Sequence, residues 1–210
     1  MRMNIHNGAS RPDAGHDGLA FTRVETPIGT LTLAASDTGL REVWFDGQAP
    51  SGADEASEVS EAGGQVQAAQ ARHRLLEAAA AQLREYFAGT RTAFHLPLDL
   101  RGPSFHRKAW LALAAIPYGR TVSYGEQARR IGYPGAARAV GAANSRNPVP
   151  VILPCHRVIG ANGSLTGFGG GLDTKRRLLE HEMLVSSRDR TATDAGAPLG
   201  DESPREPFLF

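Results

Sequence analysis

Three short runs near the front of the chain, residues 21–24, 30–34 and 40–45, carry alternating or β-branched apolar positions. Pro27, Gly29, Gly39 and Gly47 bound them, and the pattern predicts strands of a small sheet joined by hairpins. Residues 68–87 switch to helical spacing through Leu75, Leu76, Ala79, Leu83, Tyr86 and Phe87, with Gly89 as the stop. Residues 94–100 are predicted as one more strand leading into a connector. Past Pro103, Ser104 is the predicted N-cap of a helix carrying Phe105, Ala109, Trp110, Leu113 and Ile116, ended by Pro117 and Gly119. Ser123 opens a short helix through Arg130, residues 132–135 turn the chain, and residues 136–144 form a second short helix. Two short helices about a glycine-containing turn make a helix-turn-helix pattern, which many proteins use without binding nucleic acid. A last helix is predicted over 173–184.

These elements divide the chain into a polar tail at 1–18, an α/β unit at 19–100, a mainly helical unit at 103–184 and a second polar tail at 185–210. An acidic loop rich in Ser, Gly and Ala, residues 46–64, interrupts the first unit. Both tails read as disordered. The composition, 41% hydrophobic and 21% charged, is that of a soluble globular protein. No apolar run approaches the ~18–20 residues that span a bilayer. The start of the chain lacks the apolar stretch of a secretory signal. With a single cysteine, this fits a reducing, cytoplasmic setting with no membrane partner. The net charge of +1 conceals a segregation. Residues 101–182 hold twelve Lys/Arg against four Asp/Glu, and the rest of the chain holds eleven against eighteen. Such asymmetry fits a polyanion-binding part and equally a solvated basic face.

The one cysteine lies in Pro154-Cys155-His156-Arg157-Val158, after the apolar, proline-bracketed run Asn147-Pro148-Val149-Pro150-Val151-Ile152-Leu153. A lone thiol cannot close an intrachain disulfide or build a cysteine-rich metal site. It can be a nucleophile, and an adjacent imidazole favours the reactive thiolate; a buried, inert thiol is the plainer alternative. On the last helix, Leu172, Leu178, Leu179 and Met183 fall on one arc at about 100° per residue, with Glu182 inside it and His181 pointing away. A carboxylate on an apolar stripe costs free energy unless it is paired or snorkels at the edge. His156 is the candidate partner, which would make Cys155, His156 and Glu182 a nucleophile, base and orienter. The helix at 136–144 is nearly bare: Ala136, Ala137, Ala139, Gly141, Ala142 and Ala143 surround a single long cation, Arg138. Readout of base edges in the major groove would need several long polar side chains. The pattern therefore suits binding through backbone and shape, or tight packing against a neighbouring helix.

Taken in order, these segments resemble the O6-alkylguanine-DNA alkyltransferases. The resemblance runs from Val122-Ser123-Tyr124 and Ala136-Ala137-Arg138-Ala139-Val140-Gly141 through the Asn-Pro and Pro-Cys-His-Arg-Val motifs. It continues into the glycine loop from Leu165 to Leu172 and Leu178-Leu179-Glu180-His181-Glu182, and is dense over 103–182. It implies an α/β (α+β) protein: a small ribonuclease-H-like sheet-plus-helix domain, then a mainly helical, winged-helix-like domain. It also implies DNA repair by direct reversal, with the alkyl group of O6-alkylguanine, and of O4-alkylthymine, moved irreversibly to Cys155. His156 would be the base, through an ordered water; Glu182 would orient it; Asn147 would hold the Pro-rich turn. Tyr124 would touch the flipped nucleotide and help protonate the leaving base. Ser123, Ala137 and Gly141 would lie against DNA in the minor groove, and Arg138 would fill the gap left by the flipped base. Pro150, Val158, Phe168 and Gly169 would line the base pocket. The expected partner is double-stranded DNA bound by a monomer associated with a bacterial-type nucleoid, with no cofactor and no metal, since the cysteines of a zinc-binding relative are missing.

Two positions depart from the family pattern. Gly169 stands where some relatives carry serine or alanine, and Asn144 where a larger apolar residue is common on the DNA-facing helix. Three other readings remain beside repair. They are a non-catalytic alkyltransferase-like lesion binder, which would lack the cysteine, a helix-turn-helix regulator, and a Cys-His-Glu hydrolase with turnover.

Overall fold

The computed structural model describes residues 18–50, 53 and 63–193. The predicted amino-terminal tail up to residue 17, most of the acidic loop and the segment after Thr193 lie outside the described residues. Strands β1 (Ala20–Val24), β2 (Leu31–Ala35) and β3 (Leu40–Trp44) form an antiparallel sheet with β2 in the middle. Thr22 pairs with Leu33, and Leu33 with Val43. Every residue of β2 is buried, because both faces of the sheet are covered. Leu31, Leu33 and Ala35 face helix α1 (Gly63–Ala88), which contributes Leu76, Ala79, Ala80, Leu83 and Tyr86. Ala34 packs with Leu19 and Trp44 on the other side.

Residues 94–100 do not form the expected strand. Leu98 makes an isolated bridge with Leu40, the Leu40 amide donating to the Pro97 carbonyl at 2.8 Å and the Asp99 amide to the Leu40 carbonyl at 3.0 Å. Pro97 has no N–H to extend the bridge toward the start of the chain, so the ladder does not grow on that side.

The second unit opens with α2 (Ser104–Leu113), whose N-cap is Pro103; Ser104 is already helical and caps nothing. Then come β4 (Val122–Ser123), α3 (Tyr124–Arg130) and α4 (Ala137–Asn144). A 3-10 turn (Cys155–Arg157), β5 (Val158–Ile159) and α5 (Gly171–Thr193) complete the unit. The predicted helix-turn-helix is α3 and α4, closed over Ala109, Ala128, Ile131, Val140 and Ala143. The short parallel pair β4–β5 was not expected: Val122 aligns with Val158, and Ser123 with Ile159.

The expected tail from 185 needs correction, since α5 runs on to Thr193. Val185 is buried one turn beyond Glu182, and its methyl groups meet the backbone of Gly89 at the end of α1. That contact draws the helix past its predicted end. The main core is shared by the two units: it joins the sheet and α1 to Trp110, Leu113, Ile116, Val149, Val151, Leu153, Cys155, Val158 and Leu178. The cysteine turn is thus anchored from both sides.

Candidate active site

Proline spacing shapes the turn that carries the cysteine. Pro148, Pro150 and Pro154 set φ and remove three amide donors, so the segment cannot become helix or inner strand. Asn147 replaces the missing bonds: its Nδ2 donates to the Leu153 carbonyl at 2.7 Å and its Oδ1 accepts from the Val149 amide at 3.1 Å. Inside this clasp Val151 holds a positive φ of 73°. A β-branched residue in that region is strained, and the clasp on either side keeps it there. The chain then turns through Cys155–Arg157 into β5, whose pairing with β4 ties the turn to Ser123 and Tyr124 at the start of α3. Ser123 Oγ accepts from the Glu126 amide at 3.1 Å, so this serine caps α3.

Behind the turn lies a buried ionic cluster. Glu182 is fully buried on α5 and receives the Tyr86 hydroxyl at 2.8 Å, His156 Nε2 at 2.8 Å, Arg157 Nε at 2.9 Å and the Gly119 amide at 3.0 Å. Arg157 Nη2 adds a bond at 2.9 Å and Nη1 donates to the Ile116 carbonyl at 2.6 Å. Gly119 is needed for this geometry: its φ is 67°, and a Cβ there would stand 2.2 Å from Ser186 Oγ.

Burial acts to raise the Glu182 pKa, but the hydrogen bond and charge of His156 and the Arg157 guanidinium outweigh it and hold the carboxyl at about 2. Burial lowers the His156 pKa more than Glu182 raises it, so the ring is neutral at pH 7. With Nε2 donating to a carboxylate, the lone pair resides on Nδ1. That nitrogen is buried and has no hydrogen-bond partner among the described residues. The ring is therefore a neutral imidazole locked in one tautomer, one residue from the only thiol.

Two further groups converge on the thiol. Lys175 is fully buried on α5 and its Nζ donates to the Val158 carbonyl at 2.7 Å and the Thr166 carbonyl at 2.8 Å. The Tyr124 hydroxyl donates to the same Thr166 carbonyl at 3.0 Å. Burial lowers the Lys175 pKa, with the Cys155 charge opposing; burial also raises that of Tyr124, aided by the same charge and opposed by the Thr166 bond. At neutral pH Tyr124 is a phenol with a proton to give.

Cys155, His156, Glu182, Asn147 and Tyr124 are thus brought together, and Pro150 and Val158 are buried. Phe168 is half-buried with its ring edge-on to His156 at 6.4 Å. Gly169 has open space where a Cβ would stand. On α4, Arg138 is exposed, Ala137 is half-buried, and Gly141 lies against the Tyr124 ring, where a Cβ would have ordinary 3.7 Å contacts.

The structure corrects the sequence reading at three places. The buried arc of α5 is Lys175, Leu178, Glu182 and Val185, whereas Leu172 and Met183 are exposed at 45% and 59%. His181 does not point away but bonds the Tyr86 carbonyl through Nε2 at 2.8 Å. Asn144 faces inward: its Nδ2 donates to Gln127 Oε1 at 2.7 Å and its Oδ1 accepts from Gln127 Nε2 at 3.3 Å.

Arg157, Lys175 and Tyr86 were not anticipated. Lys175 stands seven residues before Glu182, two turns along the same helix face, and that spacing is its sequence signal. Tyr86 and Arg157 carry no such signal, because their partner comes from another part of the fold.

Comparison with known proteins settles the kinship. The model of the 6-O-methylguanine DNA methyltransferase DNA-binding domain matches residues 104–184, and that of its ribonuclease-like domain matches 19–100. The chain belongs to this family. A methylated-DNA--protein-cysteine methyltransferase of Mycolicibacterium paratuberculosis is 48% identical over 179 residues, covering 84% of this chain and 99% of that protein. The constitutive methylated-DNA--protein-cysteine methyltransferase of Bacillus subtilis is 40% identical over 176 residues, covering 81% of this chain and 98% of that one. Among solved structures, Mycobacterium tuberculosis O6-methylguanine methyltransferase has a TM-score of 0.65 at 42% identity, covering 83% of this chain and 98% of that chain. The Mycobacterium tuberculosis OGT in complex with DNA has a TM-score of 0.62 at 44% identity, covering 79% and 93%. Both units of the present methyltransferase-family chain are therefore shared with these relatives.

Proposed function

We propose that this chain repairs double-stranded DNA by moving the alkyl group of O6-alkylguanine, and of O4-alkylthymine, to its own Cys155, once per molecule. The observation that carries the reading is the neutral, tautomer-locked His156, with an open lone pair on Nδ1, beside the only cysteine. The Cys155 proton passes through one water to His156 Nδ1, and Glu182 and Arg157 keep the ring oriented as it gains charge. The thiolate attacks the alkyl carbon in line, the S–C bond forms and the C–O6 bond breaks. The electron pair of that bond stays with the base, which takes a proton from the Tyr124 hydroxyl and leaves as guanine; the proton on His156, returned through water, restores the phenol. Lys175, charged beside the thiolate, favours its formation. A thioether, unlike a thioester, offers no carbonyl for water to attack, so the reaction ends with alkylated protein.

DNA meets the helix-turn-helix side of the second unit, where residues 101–182 concentrate positive charge. The bare face of α4, with Ala137 and Gly141, enters the minor groove, and Ser123 and Tyr124 lie beside it. The damaged base turns out of the stack into a pocket walled by Pro150, Val158, Phe168 and the backbone at Gly169, and Arg138 fills the gap. Among the described residues no helix is long and apolar enough to cross a membrane. The protein acts as a monomer at the nucleoid, with residues 19–100 as scaffold and 103–184 as the catalytic, DNA-binding domain. The retained Cys155 separates it from lesion binders that only signal.

The test is to incubate the chain with a duplex carrying O6-methylguanine, digest it, and weigh the Cys155 peptide. One methyl group per molecule is expected. A folded protein without that adduct overturns the proposal, and more than one repaired base per protein shows turnover instead.

A further inference from the structure

The amino-terminal unit reaches the site through the end of β3. The Val43 amide donates to the Pro148 carbonyl at 2.8 Å, which fastens one wall of the site, the Asn-Pro turn. Two residues on, the buried Phe45 ring sits against the other wall, the glycine loop at 165–171. A Cβ on Gly170 would stand 2.8–2.9 Å from three atoms of that ring, so the loop backbone rests directly on it. Phe45 also meets Phe168 edge-on at 5.4 Å, and Phe168 meets His156 edge-on at 6.4 Å. Gln48 Nε2 then donates to the Gly169 carbonyl at 2.9 Å. One strand end therefore holds both walls, and a rigid ring sets the distance between the loop and the histidine.

We propose that Phe45, seconded by Gln48, is a positioning and specificity-determining element that limits the size of alkyl group the site accepts. This deepens the alkyl-transfer reading and rests on it. The loop cannot move outward while its backbone lies on the ring. A smaller side chain at 45 lets Phe168 and the loop retreat and makes room for a bulky aralkyl group. Gly170 is the counterpart: any side chain there drives the loop off Phe45 and disturbs the wall. Gly169, by contrast, has open space where a Cβ would stand and does not rest on Phe45.

The test measures rates of Cys155 alkylation, by mass of the Cys155 peptide, with duplexes carrying O6-methylguanine or O6-benzylguanine. Phe45→Leu is expected to raise the benzyl-to-methyl rate ratio about tenfold, the scale of pocket-size discrimination. Gln48→Ala, on an exposed side chain, moves the ratio the same way by about threefold. Gly170→Ala slows both substrates, and Phe45→Leu placed in that background restores them, because the Cβ then has room. A ratio that stays within about twofold of the wild type in Phe45→Leu and in Gln48→Ala overturns the proposal, as does a double variant showing only the product of the single effects. If the wild-type chain takes up neither group, the alkyl-transfer reading itself fails, which is a distinguishable result.

Discussion

The cluster around Glu182 and the outward face of α4 solve opposite problems within one chain. The first is dry and crowded: a carboxylate, a guanidinium, an imidazole and a phenol, each turned on the others, with every Glu182 oxygen satisfied. The second is nearly without side chains, and Arg138 stands on it exposed. A buried charge network is costly to leave half-made, so its members define one geometry and hold it. A bare helix face imposes little geometry of its own and adapts to the surface it meets. Proton transfer needs the first property, and pressing a helix into a groove needs the second. The comparison predicts that changes in the cluster act on stability and chemistry together, while changes on α4 act on DNA alone.

Glu182→Gln is the strongest way to break it. The variant keeps shape but leaves the Arg157 cation buried without its counter-charge, at a cost of about 3–5 kcal/mol. Chemical denaturation should show that loss, and alkyl transfer to Cys155 should slow on duplex DNA and on free O6-benzylguanine alike. If stability is unchanged, the cluster is not the rigid half of the pair.

Arg138→Ala should do the reverse. We expect stability as in the wild type, reaction with free O6-benzylguanine unchanged, and repair of duplex DNA slowed by about 10–100-fold, the cost of holding a base out of the stack. Equal losses on the two substrates would remove Arg138 from the role of extrusion finger.

A pH series sharpens the contrast with the smallest effect. His156 titrates below its ordinary 6.5 in the folded protein, so the unfolded chain takes up a proton first and stability falls as pH drops through that value. Between pH 7 and 5 stability should therefore decline. Glu182, held at about 2 against an ordinary 4.5, contributes fully above the ordinary value and loses its contribution as pH falls toward the lower one. Thermal unfolding across this range should therefore decline in the wild type and in Arg138→Ala in parallel, and decline less below 4.5 in Glu182→Gln. A flat wild-type profile would mean that His156 is not buried as a neutral ring.

Much of the fold was legible from the chain. The three strands, the long helix, the helix-turn-helix and the Ser123 cap follow from local periodicity and turn chemistry, which depend on neighbours in sequence. Most errors arose where a distant partner decides. Val185 extends α5 because Gly89 lies across from it, whereas the missed break at 94–100 was a local signal, Pro97 within the run. Helical arithmetic correctly turned Glu182 inward but chose Leu172 and Met183 as its companions; the buried stripe instead carries Lys175. A polar residue is hard to assign to a core when its partners are unknown. Asn144 shows the same: it stands where a larger apolar residue is common, and only the structure brings Gln127 opposite it.

By itself the sequence nominated the residues proposed to carry the chemistry, because a lone Cys-His pair, a proline-clasped turn and an alanine-rich helix with one arginine are local patterns. Only the tertiary structure decided how they are tuned. His156 is a neutral ring because burial outweighs the pull of Glu182, and its Nδ1 is left open because Glu182, itself held by Tyr86, Arg157 and Gly119 from separate segments, fixes Nε2 as the donor. The glycine loop is a wall because Phe45, more than a hundred residues earlier, lies beneath it. Burial and long-range hydrogen bonding set the energy of a charge, and neither is a property of nearest neighbours along the chain.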